Sequence, residues 1–371
     1  MGKHILITGG AGFLGSHLAD ELLRRGHRVR ALDNLSPQVH GLEAKRPDYL
    51  DPEIELQIGD VRNPDDVRKA LKGIDQVVHF ASAVGVGQSM YQIAGYTEVN
   101  NMGTAVVLEA LIAQPVERLL VASSMSVYGE GLYRTRKGEI REGYDRPVEQ
   151  LKAGDWELRD EDGEVMEPIP TPETKTPFLA SVYALSKFDQ ERMCLMVGKA
   201  YNMPVVALRF FNAFGTRQAL SNPYTGVLAI FMSRVLNGNP PLVFEDGKQL
   251  RDFVSVYDVA RASAQALEGG GDGQVFNVAS GRQYTVLDVA RLCARALVRN
   301  DLEPEVTGKY RVGDNRHCVA DITAAREKLG YRPSCYLEEG IDELAEWVAQ
   351  QTATDRVETM RQELASRGLA L

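Results

Sequence analysis

A chain of 371 residues exceeds the roughly 250–300 at which a single hydrophobic core stops growing, so two packed units are expected. Its 44% hydrophobic and 25% charged residues exclude disordered, collagenous and mucin-like classes. The net charge of −9 argues against nucleic acid or an anionic membrane as a partner, so an anionic ligand needs local cations. Cys194, Cys293, Cys318 and Cys335 form no C-x-x-C pair, which suggests neither a disulfide framework nor a zinc knuckle, and none falls in the long stretch over 131–176, so no metal is expected. No apolar run reaches the roughly 18 residues of a membrane span, and a strand begins too early to leave room for a signal peptide. A reducing cytoplasm is the expected location.

Runs rich in Val, Ile and Leu at 5–7 and 29–33 flank a helical pattern over 16–25, which makes a β-α-β unit. The alternation continues through a strand at 54–58, a helix at 65–71, a strand at 76–81, a helix at 101–111 and a strand at 119–124. This is the rhythm of a Rossmann-type, doubly wound parallel sheet in an α/β chain, with ligands at the carboxyl ends of its strands. A charged, proline-rich stretch between Tyr128 and Tyr183 reads as an insertion over about 131–176. The pattern resumes with a helix at 181–199 and a strand at 205–210. The first unit is assigned 1–212, with 255–280 returning to it. A smaller α/β unit spans 213–350. Within the final stretch, 351–371, Val357, Met360 and Leu364 recur at helical spacing, which predicts a helix packed on the body or on a partner.

Between the first strand and first helix, Thr8-Gly9-Gly10-Ala11-Gly12-Phe13-Leu14-Gly15 gives G-x-x-G-x-x-G. Glycines there allow a tight turn, close approach of backbone N–H groups to a pyrophosphate, and helix–sheet contact. A glycine-rich turn alone is often only a turn. Here Asp33 ends the second strand 18 residues after Gly15, near the spacing expected of the carboxylate that accepts from a ribose diol. An acid at that point repels a 2′-phosphate, which favours NAD over NADP. Asn34 and Ser36 add polar groups beside the same ribose, Asp60-Val61 falls where a carboxylate meets adenine, and Phe80-Ala81-Ser82 runs along the nicotinamide half.

A serine-rich strand end, Ser123-Ser124-Met125-Ser126-Val127-Tyr128, is followed by Tyr183-Ala184-Leu185-Ser186-Lys187 at the start of a helix, where Tyr and Lys at i and i+4 share a face. Alone, such a pair is an ordinary helix surface. Joined to the glycine turn, these residues resemble the extended short-chain dehydrogenase/reductase superfamily, and within it the nucleotide-sugar 4-epimerases. Further matches are Gly59-Asp60-Val61, His79-Phe80-Ala81, Asn100 with Gly103-Thr104, Leu208-Arg209-Phe210-Phe211-Asn212, Arg251-Asp252-Phe253 and Arg311-Val312-Gly313-Asp314. The resemblance implies an isomerase with tightly held NAD. Tyr183 would take the proton of the sugar 4-hydroxyl, Lys187 would stabilise the phenolate, and Ser124 would hold the oxygen. Asn100, Ser123, Tyr183, Lys187 and Phe210 join the expected cofactor contacts. Lowering a phenol from pKa near 10 to neutrality needs about 4 kcal/mol of preferential anion stabilisation.

For the sugar nucleotide, the resemblance assigns Arg251 and Arg311 to the diphosphate, with Asn212 donating to it. Gly226-Val227 and Phe244 line the base, Asp314 accepts from the ribose, and Ser126 and Val84 stand beside the sugar, where Cys318 is either a small gating residue or a buried small hydrophobe. Related 4,6-dehydratases carry an Asp-Glu pair where this chain has Met125-Ser126, so dehydratase and decarboxylase readings fall behind epimerase. A sensor that retains the fold is the non-enzyme alternative, and the intact Y-x-x-x-K motif argues against it. Val84 suits a deoxy sugar better than a strict UDP-galactose role. Its loop, the insertion and the 313–318 run look most like a subgroup that includes dTDP-L-rhamnose 4-epimerases. The insertion reads as a flap over the sugar or a partner surface, anchored by Tyr133, Tyr144 and Trp156. A homodimer is expected through the helices at 101–111 and 181–199.

Overall fold

The computed structural model describes residues 2–311 and 313–369; Val312 of the 311–314 motif, and Ala370 and Leu371 at the end of the expected terminal helix, lie outside the described residues. Seven strands, β1 (His4–Thr8), β2 (Arg28–Asp33), β3 (Glu55–Ile58), β4 (Gln76–His79), β5 (Arg118–Ser124), β6 (Val205–Phe210) and β7 (Gln274–Val278), form one sheet in the order β7-β6-β5-β4-β1-β2-β3. Every pairing in it is parallel. Chain order reverses between β1 and β4, which opens a crevice at their carboxyl ends.

Alternation along the strands divides the core. Ile5 and Ile7 face α1 (Phe13–Arg24), whereas Leu6 joins the opposite layer with α2 (Pro64–Leu71), α3 (Gly103–Ala113) and α4 (Val182–Ala200). Helix α1 begins at Phe13 rather than at the expected residue 16, because Gly12 is its extended N-cap and Gly15 already lies inside it. A Cβ on Gly15 would come within 2.2 Å of the Gly9 carbonyl oxygen, so this crossing of turn and helix requires glycine. Ser181 starts α4 by accepting from the Ala184 N–H at 3.1 Å.

Four further helices are α5 (Val227–Leu236), α6 (Val256–Glu268), α7 (Val286–Ala296) and α8 (Leu337–Ala349). Helix α6 packs on the same face of the sheet as α1, whereas α5, α7 and α8 enclose a separate core around Phe231, Met232, Phe253, Val289 and Leu344. The last helix, α9 (Val357–Ser366), buries Val357, Met360 and Leu364 against Leu242, Tyr224 and Phe244, which decides for the body as its support.

The insertion is ordered. Its three short strands, Leu132–Arg134, Ile140–Glu142 and Glu167–Ile169, pair antiparallel around buried Tyr133, with Leu158 and Met166 beneath. Among the described residues no helix is long and apolar enough to cross a membrane.

Candidate active site

The strand ends open into a cavity of about 820 Å³, lined on one side by the glycine turn and on the other by Phe244, Arg251 and Arg311. The turn sits close under β4, since a Cβ on Gly9 (φ +70) would stand 2.9 Å from the Ala81 nitrogen. Helix α1 has no side-chain cap, so its first N–H groups, those of Phe13 and Leu14, remain to be met by a ligand. Asp33 accepts from Ala11 N–H and Leu35 N–H, each at 3.0 Å, and lines the cavity. Hydrogen bonds from Arg62 pull the Asp60 carboxyl down to about 2 against the opposing effect of burial, and Asn34 donates to it at 3.2 Å. These residues fit a dinucleotide: a backbone cradle for the pyrophosphate, then an acid for a ribose diol.

Ser124 ends β5, and its Oγ accepts from Ser126 N–H at 3.2 Å and Ser126 Oγ at 2.9 Å, leaving its own proton to donate into the cavity. Tyr183 opens α4, where Ser89 Oγ accepts from its backbone N–H at 3.0 Å. Burial raises the Tyr183 pKa, with a hydrogen bond to Ser124 opposing. Burial lowers Lys187 to about 7, while Glu191 and Cys194 work the other way. Its Nζ donates to Gln190 Oε1 at 2.7 Å. Burial thus works against both charged forms, the Tyr183 phenolate and the Lys187 ammonium.

Of the site residues expected from the sequence, Asn100 and Cys318 do not line the cavity. Asn100 lies beneath it, its amide holding Ala83 N–H at 2.7 Å and Ser186 Oγ at 2.9 Å, so it orders the loop from below. Cys318, on the short strand beside Arg251, is 1% exposed and packs in the main core, and burial pushes its thiol up to about 12. Of the two readings of Cys318, the buried small hydrophobe describes its setting here. Asn212 reaches the cavity, yet its Nδ2 donates to the Asp252 carbonyl at 2.9 Å and contacts Met125 Sδ at 3.3 Å, so neither amide hydrogen points freely at a phosphate. No residue of 131–176 lines the cavity.

The remaining expected positions, Gly12, Ser36, Val61, Phe80, Ser82, Val84, Ser123, Phe210, Gly226, Val227 and Asp314 among them, do line it. Sequence reasoning missed Tyr224, Gln218, Gln249 and Asn315, and the contribution of α9. Gln218 Oε1, Gln249 Oε1 and Asn315 Nδ2 are buried without a hydrogen-bond partner among the described residues, and mark polar points for a ligand to satisfy. No local motif announces them. The apolar spacing of α9 was visible, and only its destination was not.

The NAD dependent epimerase/dehydratase family matches residues 5–150 and 161–279. The chain belongs to that family. It is 36% identical to a dTDP-L-rhamnose 4-epimerase of Burkholderia thailandensis over 94% of this chain and 96% of the relative. Among solved structures, a UDP-glucose 4-epimerase of Thermus thermophilus in complex with NAD superposes with a TM-score of 0.74 at 30% identity, covering 94% of this chain and all (100%) of the other. A UDP-N-acetylglucosamine 4-epimerase of Methanobrevibacter ruminantium gives 0.77 at 27% identity, over 95% and 99% of the two chains.

Proposed function

We propose that this chain, an NAD-dependent nucleotide-sugar 4-epimerase, inverts C4 with Tyr183 as base, Lys187 as its electrostatic support and Ser124 as the donor that holds the reacting oxygen. The reading rests on one observation: a single cavity joins the dinucleotide cradle to Arg251 and Arg311, with Ser124, Tyr183 and Lys187 between them. Bound NAD supplies a reversible hydride acceptor and a positive charge. Ser124 donates to the 4-oxygen and keeps it in line with the Tyr183 hydroxyl oxygen, which takes the hydroxyl proton and later returns it. Lys187, held by Gln190, favours the phenolate in between. Arg251 and Arg311 receive the diphosphate, Gly226, Val227 and Phe244 the base, Asp314 the ribose, and Val84 stands beside the sugar.

Met125 and Ser126 line the cavity where elimination would need an acid and a base, so the 4-ketone goes back to the alcohol rather than losing water. The substrate proposed is dTDP-L-rhamnose, on the strength of the Burkholderia relative and the apolar Val84. The test is a panel of dTDP-L-rhamnose, UDP-glucose, UDP-N-acetylglucosamine and UDP-glucuronate, with the C4 configuration of each product read by NMR. Net loss of water without inversion would overturn the proposal. We also propose that Met102, Ile112, Leu185 and Met196, exposed apolar residues on or beside α3 and α4, are covered by a second copy of the chain; light scattering at a monomer mass would refute this.

A further inference from the structure

Although the insertion adds nothing to the cavity lining, two of its side chains are locked into the wall behind Phe244. The buried guanidinium of Arg146 donates to Glu245 Oε1 at 2.7 Å, to the Asp314 carbonyl at 3.2 Å and to the Trp156 carbonyl at 3.1 Å. Arg316, also fully buried, pairs with the other Glu245 oxygen at 2.8 Å, with Asp246 at 2.7 Å and with the insertion's Glu157 at 2.5 Å. Burial would raise Glu157, but hydrogen bonds from His317 and Arg316 outweigh it and bring its carboxyl down to about 2.

Glu245 has φ +53, in the left-handed region that residues other than glycine avoid. Such a conformation persists where the surroundings over-determine it, and here one arginine grips each carboxylate oxygen. The residue before it, Phe244, faces the cavity under the Arg311 guanidinium, 4.8 Å from the ring centroid, and Arg311 pairs with Asp314 at 2.6 Å. Arg146 thus touches both ends of one wall, Glu245 next to Phe244 and the backbone of Asp314.

We infer that the insertion sets the affinity for the nucleotide from outside the cavity, with Arg146 as the positioning residue that holds Glu245 in its left-handed conformation and so fixes Phe244, Arg311 and Asp314. The inference rests on the reading of this cavity as a nucleotide-sugar site. It is tested by calorimetric titration of the NAD-loaded protein with UDP and dTDP. Arg146→Ala is expected to weaken the better-bound nucleotide about tenfold, with NAD content unchanged. In a Glu245→Gly background the backbone adopts φ +53 without strain and no buried carboxylate is left behind. There, adding Arg146→Ala should not weaken binding further. Should Arg146→Ala not accumulate as folded protein, Arg146→Lys carries the same comparison, since it keeps the charge and loses the fork. Equal binding by wild type and the Arg146 variants would overturn the inference alone, as would a loss undiminished in the Glu245→Gly background. Failure of the wild type to bind either nucleotide would overturn the reading of the cavity and the inference with it.

Discussion

The two sides of the cavity are built from different materials. The glycine-turn side is mostly backbone: Gly9 to Gly15, the start of α1 and one carboxylate, Asp33, all within the first 33 residues and attached to the middle of the sheet. The opposite side is mostly side chain, drawn from Tyr224, Phe244, Arg251, Arg311 and α9, which are far apart in sequence and joined by ion pairs and aromatic contacts. A backbone site tolerates substitution outside its glycines. A side-chain site changes ligand with each residue exchanged, which fits one family taking different sugars on a common cofactor arm.

If that contrast holds, each side should respond to its own variants. Tyr183→Phe, between the two, is expected to lower kcat about 10³-fold with NAD content and nucleotide affinity intact, measured by C4 inversion under saturation. Asp33→Asn should weaken NAD about 10–100-fold and narrow its advantage over NADP, because the acceptor for the ribose and the anchor of the glycine turn go together; nucleotide affinity should stay put. Arg311→Ala should raise the sugar-nucleotide KM about tenfold without touching NAD content. An NAD loss in Arg311→Ala would contradict the division into two sides.

A smaller effect is expected in stability. Burial lowers His17 from its ordinary 6.5 to about 4, with Arg217 adding to the shift. The unfolded chain then binds a proton that the folded chain refuses between those values, so stability is full above pH 6.5 and falls as pH drops towards 4. From pH 7 to pH 5 this side chain accounts for about 2 kcal/mol, and His17→Gln should flatten the melting temperature over that interval. A slope unchanged by the substitution would remove His17 as the cause.

The sequence made the sheet, the cofactor cradle and the Tyr183/Lys187 pair legible because each is written in consecutive residues with a fixed period or spacing. On the opposite side, Val84, Gly226, Val227, Phe244, Arg251, Arg311 and Asp314 were named from the sequence and line the cavity, whereas Tyr224, Gln218, Gln249 and Asn315 were not named. What could not be read depended on pairing across the chain. Cys318 is buried on a strand that pairs with residues 250–251 of a distant segment, and Asn100 works through a loop 17 residues away. The strain at Glu245 exists only because Arg146 and Arg316, 99 residues before it and 71 after it, converge there.

Strand β7 carries a consequence for how the protein comes into being. Residues 274–278 complete the sheet beside β6, after 63 intervening residues, 211–273, that include α5 and much of the substrate wall. A ribosome therefore delivers the sheet's last strand late, and α6, which covers the same face as α1, just before it. The sheet cannot finish as an N-terminal module while the rest awaits synthesis. Folding is expected to be slow and to engage both regions together, with β6 an unprotected edge in any nascent chain cut short of Val278.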